Sequence, residues 1–244
     1  MDENTPLAIQ WSEGVFFVLG WIVMEEDGPR RPQLQQQQIC GTDFAVLRAA
    51  PPRGWWQKRR LGRAMEAMVA AGVRCTAVQG AAEPWLRRYG LQRAREAPLR
   101  RALLPQLLDR AEGDWGLDLR NGTVLLSAPA ADRETGEILL QLGRRVRYVA
   151  VAAGTGQGEL EALLLHRLGL GQGRPDRAAL EICLGEVRRG GAPALYLGQD
   201  CARQQRLQTI VNGEEWPETV PAALFQAGKV EKGAICLKSV EFRP

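Results

Sequence analysis

A chain of 244 residues with 45% apolar and 25% charged residues can bury one large core or two smaller ones, and this composition excludes global disorder. Its net charge of +4 combines a basic stretch, residues 53–110, holding thirteen cations and four acids, with a remainder of net −5. Five widely spaced cysteines, odd in number and without a C-x-x-C pair, argue against a zinc ribbon or a thioredoxin-like site and fit reduced thiols in the cytoplasm.

Along the chain, the first apolar run is Val15 to Met24 (VFFVLGWIVM). Its ten residues fall short of the roughly 20 that a bilayer crossing needs. Asp2, Glu3 and Glu13 precede it where a secretory signal carries Lys or Arg, so it reads as one or two buried strands, with Gly20 suited to a bulge. No membrane association is expected. The polar run from Arg30 to Cys40, with Gln35 to Gln38 at its centre, reads as a turn or surface loop. TDFAVLRA, Thr42 to Ala49, is a strand or a helix start that Pro51 and Pro52 stop.

Trp56 to Ala71 has apolar Leu61, Ala64, Met65 and Met68 at helical spacing, with Gly72 as its stop. At its start, GWWQKRRLGR (Gly54 to Arg63) combines Trp55 and Trp56 with Lys58, Arg59 and Arg60, a set that could stack a base and hold phosphates. The simpler reading is a helix start with one tryptophan packed inward, because neighbouring residues do not share a helix face. Val73 to Gly80 is a short buried strand, Glu83 to Tyr89 a short helix capped by Gly90, and Pro98 to Ala111 a helix that Pro105 kinks or divides. The cations of residues 53–110 fall on these helices, whose other faces are apolar, so a solvated outer face accounts for them without a ligand.

From Asn121 onward strands and helices alternate. GTVLLSAP, RYVAVAAG and ALEICLG read as strands. Between them lie DRETGEILLQLG, with Asp132 as its N-cap, and GELEALLLHRLG. Strand, helix, strand, helix, strand at short spacing predicts parallel βαβ units. ALYLG is a fourth strand whose short connection favours a hairpin. VPAALFQAGKV reads as a helix and AICLKSVEF as a closing strand. The expected fold class is α/β: a smaller α/β N-terminal lobe, residues 1–116, before a Rossmann-like, mostly parallel domain, residues 117–244.

The candidate ligand site is the turn Gly154, Thr155, Gly156, Gln157, Gly158, with Arg174 and Arg177 as anion contacts. G-x-G-x-x-G would give a tight turn, a close backbone approach to pyrophosphate, and close helix packing. Read from Gly154, the third glycine position holds Glu159; read from Gly156, it holds Glu161. Glu159 would place its own anion in the first helical turn, where a phosphate would otherwise sit. A tight structural turn is the preferred reading. No G-x-x-x-x-G-K-[ST] is present, and no motif identifies a cofactor.

Catalytic sets are hard to assemble. The single histidine, His166, sits late in a helix, and Ser12, Ser127 and Ser239 lie in no G-x-S-x-G elbow. Asp132, Glu134 and Glu137 cluster at a helix start, where acids serve capping and the helix dipole, so no metal site is assigned. In GTVLLSAP, VRYVAVAAGTGQGELEALLLHRLGL and VPAALFQAGKV the chain resembles a group of uncharacterised proteins from clostridial bacteria, a likeness that implies no activity. The reading that follows is a non-catalytic cytosolic protein binding a partner or small ligand. Its alternatives are an enzyme acting on a nucleotide or phosphorylated metabolite at Gly154–Gly158, and nucleic-acid binding through residues 53–110.

Overall fold

The computed structural model describes residues 19–185, 191–198 and 205–242. They form thirteen strands and seven α-helices that fall into two compact units, one from residues 19–95 and 210–235, the other from the described residues of 96–209 and 236–242. The first division stands at 95/96, ahead of the expected 116/117.

In the first unit, β1 (Leu19–Met24), β2 (Gln33–Ile39), β3 (Thr42–Ala49), β4 (Cys75–Gly80) and β5 (Gln92–Arg93) build one sheet in the order β2-β3-β1-β4-β5. All neighbours are parallel except β2 and β3. β1 is buried along its whole length, as expected of a central parallel strand. Its pairing with β3 and β4 runs without a register shift, so Gly20 is not a bulge. A Cβ on Gly20 would lie 2.8 Å from Met68 and Val73, which use that space.

The glutamine-rich segment is not a surface loop but the edge strand β2. Cys40 and Gly41, with φ of 50° and 73°, form the two-residue turn that returns it antiparallel to β3. Leu34 packs into the core on one face of the sheet and Ile39 into the core on the other. Two helices, α1 (Trp55–Ala70) and α2 (Glu83–Tyr89), cover the first face through Leu61, Ala64, Met65, Met68 and Leu86. Gly62 lets them meet, since a Cβ there would lie 2.4 Å from the Tyr89 hydroxyl. Helix α7 (Thr219–Gln226) covers the second face through Val220, Ala223 and Leu224, with Trp216 edge-on to Trp21 at 5.8 Å.

The second unit begins with α3 (Glu96–Ala102) and α4 (Leu104–Trp115), divided where Pro105 opens the second helix. Then follow β6 (Thr123–Ala130), α5 (Arg133–Leu142), β7 (Tyr148–Thr155), α6 (Gln157–Leu163), β8 (Gly171–Gln172), β9 (Ala178–Cys183) and β10 (Ala194–Tyr196). All five strands are parallel, in the order β10-β9-β6-β7-β8. Numbered from β6, this is the 3-2-1-4-5 order of a Rossmann-like sheet. The fold class is therefore α/β, with a Rossmann-like domain following an α/β lobe. β10 lies parallel to β9, not in a hairpin with it. The core of the unit packs one face of this sheet (Val124, Leu126, Val149, Val151, Leu180, Ile182) against α4, α5 and α6. The remaining strands, β11 (Gln205–Val211), β12 (Glu214–Pro217) and β13 (Ile235–Phe242), pair in the order β12-β11-β13. Among the described residues no helix is long and apolar enough to cross a membrane.

Arg100 of α3 is fully buried. Its guanidinium donates to the carbonyls of Tyr196, at 3.1 Å, and Gln205, at 2.9 Å, while the Gln205 side chain accepts from the Tyr196 N–H at 2.8 Å. Both ends of the segment between β10 and β11 are thereby tied to α3. Arg100→Leu is expected to lower the unfolding free energy by roughly 3 kcal/mol in chemical denaturation, because buried carbonyls lose charge-assisted donors.

Candidate functional site

In an open parallel sheet, ligands bind beyond the carboxyl ends of the strands, where the strand order reverses. Here that place lies between β6 and β9. β6 ends there with Ser127, Ala128, Pro129 and Ala130, and β9 with Cys183, followed by Leu184 and Gly185. Register pairing sets Leu125 beside Glu181 and Ser127 beside Cys183. The Ser127 hydroxyl donates to the Glu181 carboxylate at 2.5 Å, with both side chains buried. The sequence signal for this pair is a carboxylate inside the apolar run ALEIC, where a strand buried on both faces normally reads as continuously apolar.

The turn after β6 is shaped by Asp132, the N-cap of α5, as its position before the amphipathic run predicts. Its carboxylate accepts from the Thr135 N–H and hydroxyl, both at 2.7 Å, and the Thr135 hydroxyl also reaches the Ala130 carbonyl. Partial burial works against the Asp132 charge. The Thr135 hydrogen bonds, the nearby Arg101 guanidinium and the Glu134 N–H outweigh it and hold the carboxyl below its ordinary range. Glu134, in the first turn of the helix, is ion-paired with Arg101, and Glu137 with Arg133 at 2.9 Å. Two acids thus already stand at the amino end of α5, the position that in a dinucleotide fold receives pyrophosphate. Among the described residues no group of three His, Cys, Asp or Glu side chains could hold a metal.

The glycine turn lies beside this one. Gly154 and Thr155 finish β7, and the Thr155 carbonyl accepts from the Ala131 N–H at 2.9 Å. Gly156 is the N-cap of α6 in the left-handed conformation, φ 72°, and a Cβ on it would lie 2.6 Å from the Ala131 Cβ. Both facts give Gly156 a structural reason to be glycine. Gly158 is exposed and faces open space. Gln157 donates to Glu161 at 2.8 Å, and Glu159 occupies the first turn of α6.

Arg174 and Arg177 are not brought to this turn. Arg174 precedes and Arg177 ends the 3₁₀ turn Pro175–Arg177 leading into β9, and the preceding Gly173 donates to the carbonyl of Val149, at the amino end of β7. Six residue steps along β7 separate Val149 from Thr155, about 20 Å of extended chain. His166 stands toward that same amino end, exposed in the π-turn Leu164–Leu168 that leads to β8. Ser127 therefore has Glu181 beside it but no imidazole. Ser12 and Cys201 lie outside the described residues, and Cys40, Cys75 and Cys236 are free thiols. Burial raises the pKa of Cys75, and burial together with the Glu214 charge raises that of Cys40, so neither is an activated thiolate.

No family model matches the sequence, and no curated protein matches it. Among solved structures the chain is similar to L-tryptophan dehydrogenase from Nostoc punctiforme, at 12% identity over 75% of this chain and 61% of that one, with a TM-score of 0.33. It is similar to a shikimate 5-dehydrogenase-like protein at 10% identity over 75% and 71% of the two chains, TM-score 0.30. A third likeness is to a D-isomer-specific 2-hydroxyacid dehydrogenase from Lactobacillus delbrueckii ssp. bulgaricus, at 12% identity over 57% and 49%, TM-score 0.27. The chain spans about three fifths of the length of the first of these.

Three substitutions probe these paired turns. Asp132→Ala is expected to cost about 1 kcal/mol at neutral pH by loss of the cap. Because the folded-state pKa is depressed, this stabilisation is present above the unfolded value, near 3.9, and is lost as pH falls through the folded one. The gap between the two proteins in urea denaturation should accordingly close in acid. Gly156→Ala should cost about 1–3 kcal/mol through its left-handed backbone and the Ala131 contact, whereas Gly158→Ala should stay within about 1 kcal/mol of the parent.

Proposed function

We propose that the chain is a non-catalytic binding protein that holds a small ligand or a protein partner at the carboxyl ends of β6, β7 and β9, in a Rossmann-like domain that no longer serves a dinucleotide. The observation that carries this reading is the first turn of α5. Asp132 and Glu134 put carboxylates where phosphate would bind, and no glycine lets a pyrophosphate approach the backbone of SAPAADRE. The neighbouring turn adds Glu159 and Glu161 and no cation between 154 and 161. A ligand rich in hydrogen-bond donors suits this end of the sheet better than a phosphorylated one. The absence of an imidazole beside the Ser127–Glu181 pair supports binding over acyl transfer. Free, widely separated cysteines support residence in the reducing cytoplasm.

Thermal unfolding of the full chain with NAD, NADP, their reduced forms and ATP tests the proposal. A micromolar dinucleotide ligand at about 1 mM would add about 4 kcal/mol of stability by mass action. The expected result is no shift in Tm with any of these compounds. A clear shift, or oxidation of a reduced nicotinamide in the presence of simple keto acids, would overturn it.

A further inference from the structure

Helix α1 carries a surface that the fold does not use. Trp55 is 62% exposed and Trp56 57% exposed, so neither packs inward as the sequence suggests. The first buried residue of the helix is Leu61, which leaves its first turn and a half standing clear of the core. The two indoles meet edge to face with ring centres 4.5 Å apart, and the Arg59 guanidinium lies over Trp55 at 5.5 Å. Lys58, Arg59, Arg60 and Arg63 are all exposed, and among the described residues none of the four has a carboxylate partner. Arg53, just before the helix, is by contrast paired with Glu26 at 2.7 Å.

Lys58 lies in the first turn of α1, which has no acidic residue and no side-chain cap, and Arg59, Arg60 and Arg63 continue the basic run along the helix. The helix dipole disfavours positive charge in the first turn and favours an anion beside it. Exposed indoles set among unpaired guanidinium groups match the chemistry of a single strand of nucleic acid: π faces for bases, cations for the phosphodiester chain. A bilayer surface fits less well. A helix lying on a membrane buries an apolar face, and the apolar face of α1, Leu61, Ala64, Met65 and Met68, is already spent on the sheet.

We propose that Trp55, Trp56, Lys58, Arg59, Arg60 and Arg63 form a docking surface for single-stranded nucleic acid. This surface is independent of the site at the carboxyl ends of the second sheet.

Fluorescence anisotropy of the full chain with dye-labelled oligo(dT) and oligo(U) of about twenty nucleotides tests it, since a site of this kind spans roughly 4–16 nucleotides. Binding should weaken with salt at a log–log slope of about −3, as expected for four cations on a single strand. Trp55→Ala with Trp56→Ala, both outside the core, should weaken binding at least about tenfold with circular dichroism unchanged. Arg60→Gln with Arg63→Gln should reduce the slope by about 1.4. A preference for one oligonucleotide would assign the strand as DNA or RNA. The proposal fails if neither oligonucleotide binds at low salt, if the tryptophan variant binds as well as the parent, if a duplex of equal length binds as tightly, or if phosphatidylserine vesicles bind while the oligonucleotides do not.

Discussion

β6 is paired along both edges by parallel neighbours, β7 on one side and β9 on the other. Parallel pairing forbids a tight return, so every strand of this sheet must be reached by a connection that carries the chain back to the amino end. α5 and α6 supply two of these connections and bury the apolar face made by Val124, Leu126, Val149 and Val151. The same geometry directs all five carboxyl ends one way and makes the edge between β6 and β9 the place where the connections part. The position of Ser127, Glu181, Asp132 and Gly156 at one end, and of His166, Arg174 and Arg177 at the other, follows from that single choice.

What the sequence revealed follows from where its periodicity is strong. The helix Arg133–Leu142 has an apolar stripe and a capping aspartate, so both its extent and its first hydrogen bond are legible. β7 is legible because a strand covered on both faces is a continuous apolar run. β2 is not, because it gives one apolar residue to each face of its sheet, Leu34 to one and Ile39 to the other, and leaves no alternation to detect. The turn Asn212-Gly213 between β11 and β12 carries a strong short-range hairpin signal, two residues of positive φ after the alternating burial of Leu207, Thr209 and Val211. The direction of β10 has no local signature, since the same three residues serve either orientation.

The candidate site was half visible for the same reason. Glycine spacing marks a turn but not its neighbour, and only the folded chain shows Ala131 against Gly156. Arg174 and Arg177 are close to the turn in sequence, yet α6 and the π-turn after it carry the chain back past β7 before they appear. Trp55 and Trp56 invite the rule that one of two adjacent helical residues faces inward. That rule holds only where the helix overlies a core, and α1 begins before its core does.

The contact between residue 131 and residue 156 ties two consecutive crossover turns together at the width of a single methyl group. Gly156 is exposed and Ala131 half-buried, yet the spacing of the two turns leaves no room for a second methyl at 156. A side chain at 156 must take up a left-handed backbone and displace the Ala131 methyl as well. A change at 156 is therefore conditional on what stands at 131. Drift in either turn is thereby coupled to the other, and the mouth of the second sheet evolves as one piece.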